Sequence, residues 1–385
     1  MSRIRPQILH LLNQLQQLNI AHLPIDERIG KLVELKIHSL PVTFHNMTAE
    51  EYLAVIANLA QLDASSALSL SMHLYTLWGI ATRQGETFSS VLDDVSTHGH
   101  LMGSLNEPGL YFLTPGQLNI ETYPIRARKV EGGYRVTGLK KFVSLEPFVS
   151  YLPVYCMVEN YSGNDLGVIA LMLSKNGEGV SVLEDWNSVA MQDTHSNSVK
   201  FDNAFCPDAF VICDENTPIS TLAVQGYLFR FNVCCVYLGI SRQVLDLAIN
   251  TASTKRPPNG SNVLAKYPGV QFSIAEMLIS MEVMESQMRS FCSVLDDFLA
   301  SKEDVDLNIN RISLIAKEVI ARESELLVSS AMKITGINSL SNENPLSSIF
   351  KDIKAAQFHP PQRDVTYEIL AKEKLGVISY KQRWM

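Results

Sequence analysis

Near its C-terminal end the chain reads FKDIKAAQFHPPQRD, a helical pattern of alternating charge that stops at His359-Pro360-Pro361. Proline lacks an N–H, clashes with the preceding turn and pushes the residue before it out of helical conformation, so two prolines end a helix without further cause. A break of this kind also holds side chains at the rim of a cavity, and histidine is the residue that exchanges protons near neutral pH. The other conspicuous pair, His98 and His100 in HGH, puts both rings on one side of an extended segment with no third ligand, which reads as a surface turn and not a metal site. There is no H-E-x-x-H, no C-x-x-C, no P-loop, no G-x-G-x-x-G and no G-x-S-x-G. Zinc-hydrolase, nucleotide-phosphate, Rossmann and serine-hydrolase chemistries are therefore not indicated, and no metal is expected.

The elements that must position His359 are legible in the patterning. With 385 residues, 46% of them hydrophobic and 19% charged, the chain has the composition of a packed globular protein and can bury one large core or several smaller ones. A net charge of −8 with no long basic run argues against nucleic acid as the main partner. The N-terminal MSRIRPQILHLLNQLQQLNI has no uninterrupted apolar stretch and no small-residue cleavage site, so no signal peptide is expected. No run of roughly 18 apolar residues is free of polar ones, so no membrane span is expected either. The six cysteines are scattered, the usage of a reduced cytoplasmic protein.

Residues 1–100 read as a helical domain. MTAEEYLAVIANLAQL offers Thr48 and Glu51 as a capping box, and Asp63 is a plausible cap for a largely apolar helix running toward Gly85. Residues 101–216 change texture to short strands, with a hairpin at Gly132-Gly133, and are expected to form an antiparallel β-barrel or sandwich. From 217 to 385 long helical periods return, which suits a four-helix bundle and an oligomer core. The fold class is α+β, multidomain.

This α–β–α order, with the local sequences at its joints, resembles the acyl-CoA dehydrogenase superfamily of flavoproteins across nearly the whole chain. GSLNEPG is similar to the family's A-x-T-E-P-x-x-G, TGLKKFVS to G-x-K-x-W-I-T, and SVKFDNAFCPDAFVI to the run ending F-D-x-V-x-V-P. LGISRQVLDLAINTAS and GVQFSIAEM resemble helices around the oligomer core, and FKDIKAAQFHPP takes the place of R-D-A-x-x-x-x-I-Y-E-G-T. The resemblance implies a flavin between the β-domain and the bundle. Leu105 and Asn106 would meet its pyrimidine end, and Phe142, Val143 and Ser144 its N5 side, with the Ser144 hydroxyl on N5 itself. Arg256 and Gln271 match the residues that bind a dinucleotide tail from a neighbouring subunit. Pro257-Pro258 and the lone Gly336 depart from the pattern there, so FAD is expected with FMN possible.

The resemblance also gives the histidine break a meaning. The family's catalytic glutamate falls on Pro360 in one alignment and on Phe229 in the other, and neither residue can take up a proton. His359 and His73, from SLSMHLYTLWGI, remain as catalytic candidates. This pattern looks like the branch of two-component flavin monooxygenases, which receive reduced flavin from a separate reductase. A ring with pKa near 6.5 could hydrogen-bond a peroxide or deprotonate a hydroxyl or amine there. The expectation is a homotetrameric, cytoplasmic oxidoreductase oxygenating a small molecule. Its rivals are an acyl-CoA dehydrogenase using Glu368 or Asp364 as base, and a non-catalytic protein that kept the fold for flavin binding or assembly.

Overall fold

The computed structural model describes residues 4–106, 123–163, 167–217, 219–301 and 303–377. The first helices are α1 (Pro6–Gln17), α2 (Ile25–Glu34), α3 (Leu40–Thr43), α4 (Ala49–Leu62), α5 (Ala64–Arg83) and α6 (Ser89–His98). The capping box is formed: the Thr48 hydroxyl accepts the Glu51 N–H, and the Glu51 carboxylate accepts the Thr48 N–H. Asp63 caps α5 by accepting the Ser66 N–H at 2.7 Å. Ser66 to Ile80 are buried without interruption, so α5 is a core helix rather than an amphipathic surface one.

The strands are β1 (Leu101–Met102), β2 (Ile125–Val130), β3 (Gly133–Val143), β4 (Val149–Val158), β5 (Val168–Ser174), β6 (Val180–Val182), β7 (Asn197–Pro207) and β8 (Val211–Cys213). They form one sheet in the order β6-β7-β3-β2-β4-β5-β8, with β1 paired to β4. The hairpin joins β2 and β3, with Gly132 at φ +74° in its turn. Not every pairing is antiparallel as expected: β2 with β4 and β1 with β4 run parallel. The far edge of β3 is taken by β7, so the chain leaving β3 crosses to the free edge of β2 and there runs in the direction of β2.

The C-terminal helices are α7 (Ala223–Thr254), α8 (Pro268–Ala300), α9 (Leu307–Thr335), α10 (Pro345–Lys354) and α11 (Arg363–Leu375). By length and composition the segment Ser220–Thr254 is apolar enough to cross a membrane, but it lies in the middle of the molecule, against α4, α5, α8 and α9. At Gly239 the backbones of α7 and α4 touch: a Cβ there would sit 2.3 Å from the Ala57 carbonyl oxygen. One continuous apolar core runs through helices and sheet alike.

Candidate active site

The loop after β1 is pinned by α5. Thr76 Oγ1 accepts the Leu105 N–H at 3.2 Å, and the Tyr75 hydroxyl accepts the Asn106 N–H at 2.5 Å while sharing a 2.7 Å hydrogen bond with Ser104 Oγ. Lys140 Nζ of β3 donates to the Asn106 carbonyl at 3.4 Å. A Cβ on Gly103 would lie 3.2 Å from Val143 Cγ1, so the segment leaving β1 runs beside the end of β3. There β3 slips register between Lys140 and Val143, and Phe142 takes φ +59°. A bulky residue in that region is strained. Its ring is 60% exposed, with its neighbour Trp186 edge-on at 6.4 Å. Ser144 next to it is buried, its hydroxyl 2.9 Å from that of Ser196.

His359 stands across from this group, in the break between α10 and α11, followed by a cis Pro360-Pro361 bond. Its Nε2 shares a 3.0 Å hydrogen bond with the Tyr237 hydroxyl of α7. Its ring packs edge-on against Phe229 at 6.3 Å, and Phe229 packs edge-on against Tyr75 at 5.4 Å. A continuous line of side chains therefore runs from Asn106 through Tyr75 and Phe229 to His359. Nδ1 has no partner among the described residues and is not sealed from solvent. The ring is partly exposed yet ringed by protein, and burial, reinforced by the nearby Lys317 cation, pushes its pKa down to about 3. Lys317 of α9 is itself buried and donates to the Pro361 carbonyl at 3.0 Å, fixing the turn.

His73 has a different task. Its Nδ1 accepts the Met102 N–H at 3.0 Å, and its Nε2–H donates to the His38 carbonyl at 2.7 Å. Both ring nitrogens are committed to backbone, the ring is buried, and burial holds its pKa at about 3. It anchors β1 and has no nitrogen left for a substrate. The expectation of a histidine titrating near neutrality thus meets two rings that stay neutral, because desolvation outweighs every favourable contact. On α11, Glu368 is paired with Lys372 and Asp364 is exposed. Arg256 is exposed on the connection between α7 and α8 and Gln271 is exposed in the first turn of α8, where its amide donates to the Ala265 carbonyl; they do not join the group around His359. His98 and His100 share the Asp94 carboxylate at the surface.

Three participants have no sequence motif. Tyr237 is one. The others are a hub at residues 191–196 and Asp352. Thr194 Oγ1 donates to the Met191 carbonyl at 2.8 Å and lies 2.9 Å from Ser196 Oγ, which reaches Ser144. The Met191 N–H donates to Asp352 of α10 at 2.6 Å, and Asp193 pairs at 2.8 Å with Arg28, which also holds Asp63 at 3.1 Å. Burial, with Asp63 and Asp193 nearby, pushes the Asp352 carboxyl up to about 6. All three regions of the chain meet at this hub.

Residues 227–375 match the model of the acyl-CoA dehydrogenase C-terminal domain. The chain is 24% identical over 324 residues to "Putative acyl-CoA dehydrogenase YdbM" of Bacillus subtilis (strain 168), covering 82% of this chain and 79% of that protein. It is 26% identical over 265 residues to the dibenzothiophene monooxygenase of Rhodococcus erythropolis, covering 64% of this chain and 62% of that one. Among solved structures, KijD3 in complex with FMN and dTDP-3-amino-2,3,6-trideoxy-4-keto-3-methyl-D-glucose superposes with a TM-score of 0.83 at 18% identity, over 100% of this chain and 98% of that one. Solved structures of this fold carry FMN or FAD.

Proposed function

We infer from the site of this chain, which belongs to the acyl-CoA dehydrogenase superfamily of flavin-dependent oxidoreductases, that it oxygenates a small organic molecule with reduced flavin instead of dehydrogenating an acyl-CoA. The observation that carries this reading is the pair His359–Tyr237 standing beside Phe229, with no free carboxylate among them. Removal of an α-proton needs a positioned base of suitable pKa. A histidine held at about 3 is a weak base at neutral pH, but it is a dependable neutral hydrogen-bonding group.

The residues fit a flavin ring. Phe142 is exposed at a strained bulge, the segment leaving β1 runs beside the end of the same strand, and Ser144 adds a short hydroxyl two residues on. Flavin, FMN or FAD, would supply the electrons and the oxygen chemistry. Leu105, Asn106, Phe142, Val143 and Ser144 would hold its ring, and Arg256 and Gln271 would serve a neighbouring subunit if the tail is that of FAD. Phe229 and Tyr75 form an apolar wall that excludes water. His359 orients the substrate through Nδ1. With the proton on Nδ1 it donates outward while Nε2 accepts from Tyr237; with the proton on Nε2 it donates to Tyr237 and Nδ1 accepts from a substrate hydroxyl or amine. Which tautomer is present follows the substrate.

The assembly we propose is a homotetramer. Phe272, Ile279 and Val283 recur on one face of α8 and are 71%, 66% and 39% exposed, a seam that a second copy would cover. Six free, buried cysteines suit a cytoplasmic enzyme, and a separate reductase would deliver the reduced flavin. The name of the Bacillus relative supports the rival reading, acyl-CoA dehydrogenation with another base. Protein loaded with oxidised FAD and mixed without oxygen with saturated acyl-CoA thioesters of short to long chain separates the two. The expected result is no bleaching of the flavin within minutes; rapid bleaching by any of them overturns the proposal.

A further inference from the structure

We propose that Ser196 and Thr194 are positioning residues that fix the Ser144 hydroxyl as a pure hydrogen-bond acceptor, so that the site favours a flavin whose N5 carries a proton over one whose N5 does not. The inference rests on the reading that Ser144 meets flavin N5.

The argument is a count of protons. Three oxygen–oxygen contacts run in series: Met191 carbonyl to Thr194 Oγ1 at 2.8 Å, Thr194 Oγ1 to Ser196 Oγ at 2.9 Å, and Ser196 Oγ to Ser144 Oγ at 2.9 Å. Contacts this short between oxygens each need one proton between them. Each hydroxyl brings one and the carbonyl brings none. Thr194 must therefore donate to Met191, which obliges Ser196 to donate to Thr194, which obliges Ser144 to donate to Ser196. All three protons are spent, and Ser144 faces outward with lone pairs only.

The relay has little freedom to reverse. Thr194, Ser196 and Ser144 are all buried, so water does not supply a substitute proton. The carbonyl end is held in place, since the Met191 N–H is tied to Asp352 at 2.6 Å and the Met191 carbonyl also accepts the Thr194 N–H at 3.2 Å. Oxidised flavin presents N5 as an acceptor, and reduced flavin presents it as N5–H. Against lone pairs on Ser144, the first is a mismatch and the second a hydrogen bond. One such bond corresponds to roughly tenfold in affinity.

The test is an anaerobic titration of the full-length protein with oxidised FMN and with dithionite-reduced FMN, giving the ratio of the two Kd values. Ser196→Ala releases the Ser144 proton and should lower the preference for reduced FMN about tenfold, chiefly through tighter binding of the oxidised form. Thr194→Val lets Ser196 donate to Ser144 and should act in the same direction, while Thr194→Ser keeps the hydroxyl and should restore the native ratio. A tenfold change in the ratio is a shift of about 30 mV in the bound midpoint potential, an independent readout. Folding damage alone would weaken both redox forms together and leave the ratio in place. If Ser144→Ala alters FMN binding but Ser196→Ala and Thr194→Val leave the ratio within twofold of native, the relay is wrong while the Ser144 placement stands. If Ser144→Ala alters neither Kd, the placement is wrong and the relay falls with it.

Discussion

Acidification to pH 5 should destabilise this protein through His73, and His73→Gln should remove that sensitivity. The ring is buried with Nδ1 accepting from Met102 and Nε2–H donating to His38, so a second ring proton would face an N–H. Its pKa drops from 6.5 to about 3 on folding. Because the folded value is the lower one, the unfolded chain binds the proton first. Stability is complete above pH 6.5 and is lost as the pH falls toward 3. Linkage with these two values gives a loss of about 2 kcal/mol between pH 7.5 and pH 5.0. Asp352 works in the other direction: its folded value, about 6, lies above the unfolded 3.8, so between these limits the folded form gains stability as the pH falls, by about 1 kcal/mol at pH 5.0. His359 adds to the loss, with a smaller share because its ring is partly exposed. Urea unfolding followed by tryptophan fluorescence at the two pH values measures the balance. His73→Gln should cost about 1–3 kcal/mol at pH 7.5, since glutamine cannot satisfy both backbone partners in the ring's geometry. The pH-dependent loss should then shrink by about 2 kcal/mol. An unchanged pH dependence in the variant would refute the reasoning, because it would mean that His73 titrates alike in both states.

Tyr237→Phe leaves His359 Nε2 without its 3.0 Å partner and should cost about 0.5–1.5 kcal/mol of stability. Substrate turnover should fall more than flavin affinity, compared by steady-state rates and flavin titration. Phe229→Glu places a carboxylate between Tyr75 and His359 and should give FAD-loaded protein a slow bleaching by acyl-CoA that the native protein lacks, followed by stopped-flow absorbance. Ile279→Lys on the exposed face of α8 should lower the mass seen by light scattering at micromolar concentration, and a native protein that is already monomeric removes the assembly we propose.

The sequence carried its element types well where local physics decides them. Thr48 with Glu51 and Asp63 before a long apolar run specify helix starts by backbone hydrogen bonding alone, and both caps are formed. Gly132-Gly133 specifies a hairpin for the same kind of reason. The parallel pairing of β2 with β4 had no such signal, because it depends on which sheet edge remains free after distant β7 has paired. The site followed the same division. The motifs nominated Leu105, Asn106 and residues 142–144 as one site, and in the structure the segment leaving β1 runs beside the end of β3, with Gly103 against Val143 and Asn106 within reach of Lys140. The protonation state of the histidines was not legible, because it is set by burial against segments far away in sequence. His73 meets β1 29 residues on, and His359 meets Tyr237 across 122. Tyr237 and Lys317 read simply as members of helices, and only the fold turns them toward the His-Pro-Pro break.

A carboxyl with a strongly raised pKa ordinarily nominates a catalytic acid or base, and Asp352 meets that description on α10, the helix that leads to His359. Its geometry assigns it elsewhere. One oxygen is occupied by the Met191 N–H at 2.6 Å, and its surroundings include Asp63 and Asp193, both of them ion-paired to Arg28. The raised pKa is chiefly a consequence of burial at the junction where α2, α5, the 191–196 turn and α10 meet, with the Asp63 and Asp193 carboxylates adding to it. That junction has a directional purpose. It fixes the Met191 peptide, and through it both the hydroxyls that reach Ser144 and the helix that presents His359. A proton taken up at Asp352 would weaken the acceptor that holds the Met191 N–H, and in doing so would loosen both sides of the site it was meant to serve. The ionisable groups of this region are therefore spent on holding two neutral ones, Ser144 and His359, in place. That is the arrangement expected where the protein's part in the chemistry is orientation and hydrogen bonding rather than proton abstraction.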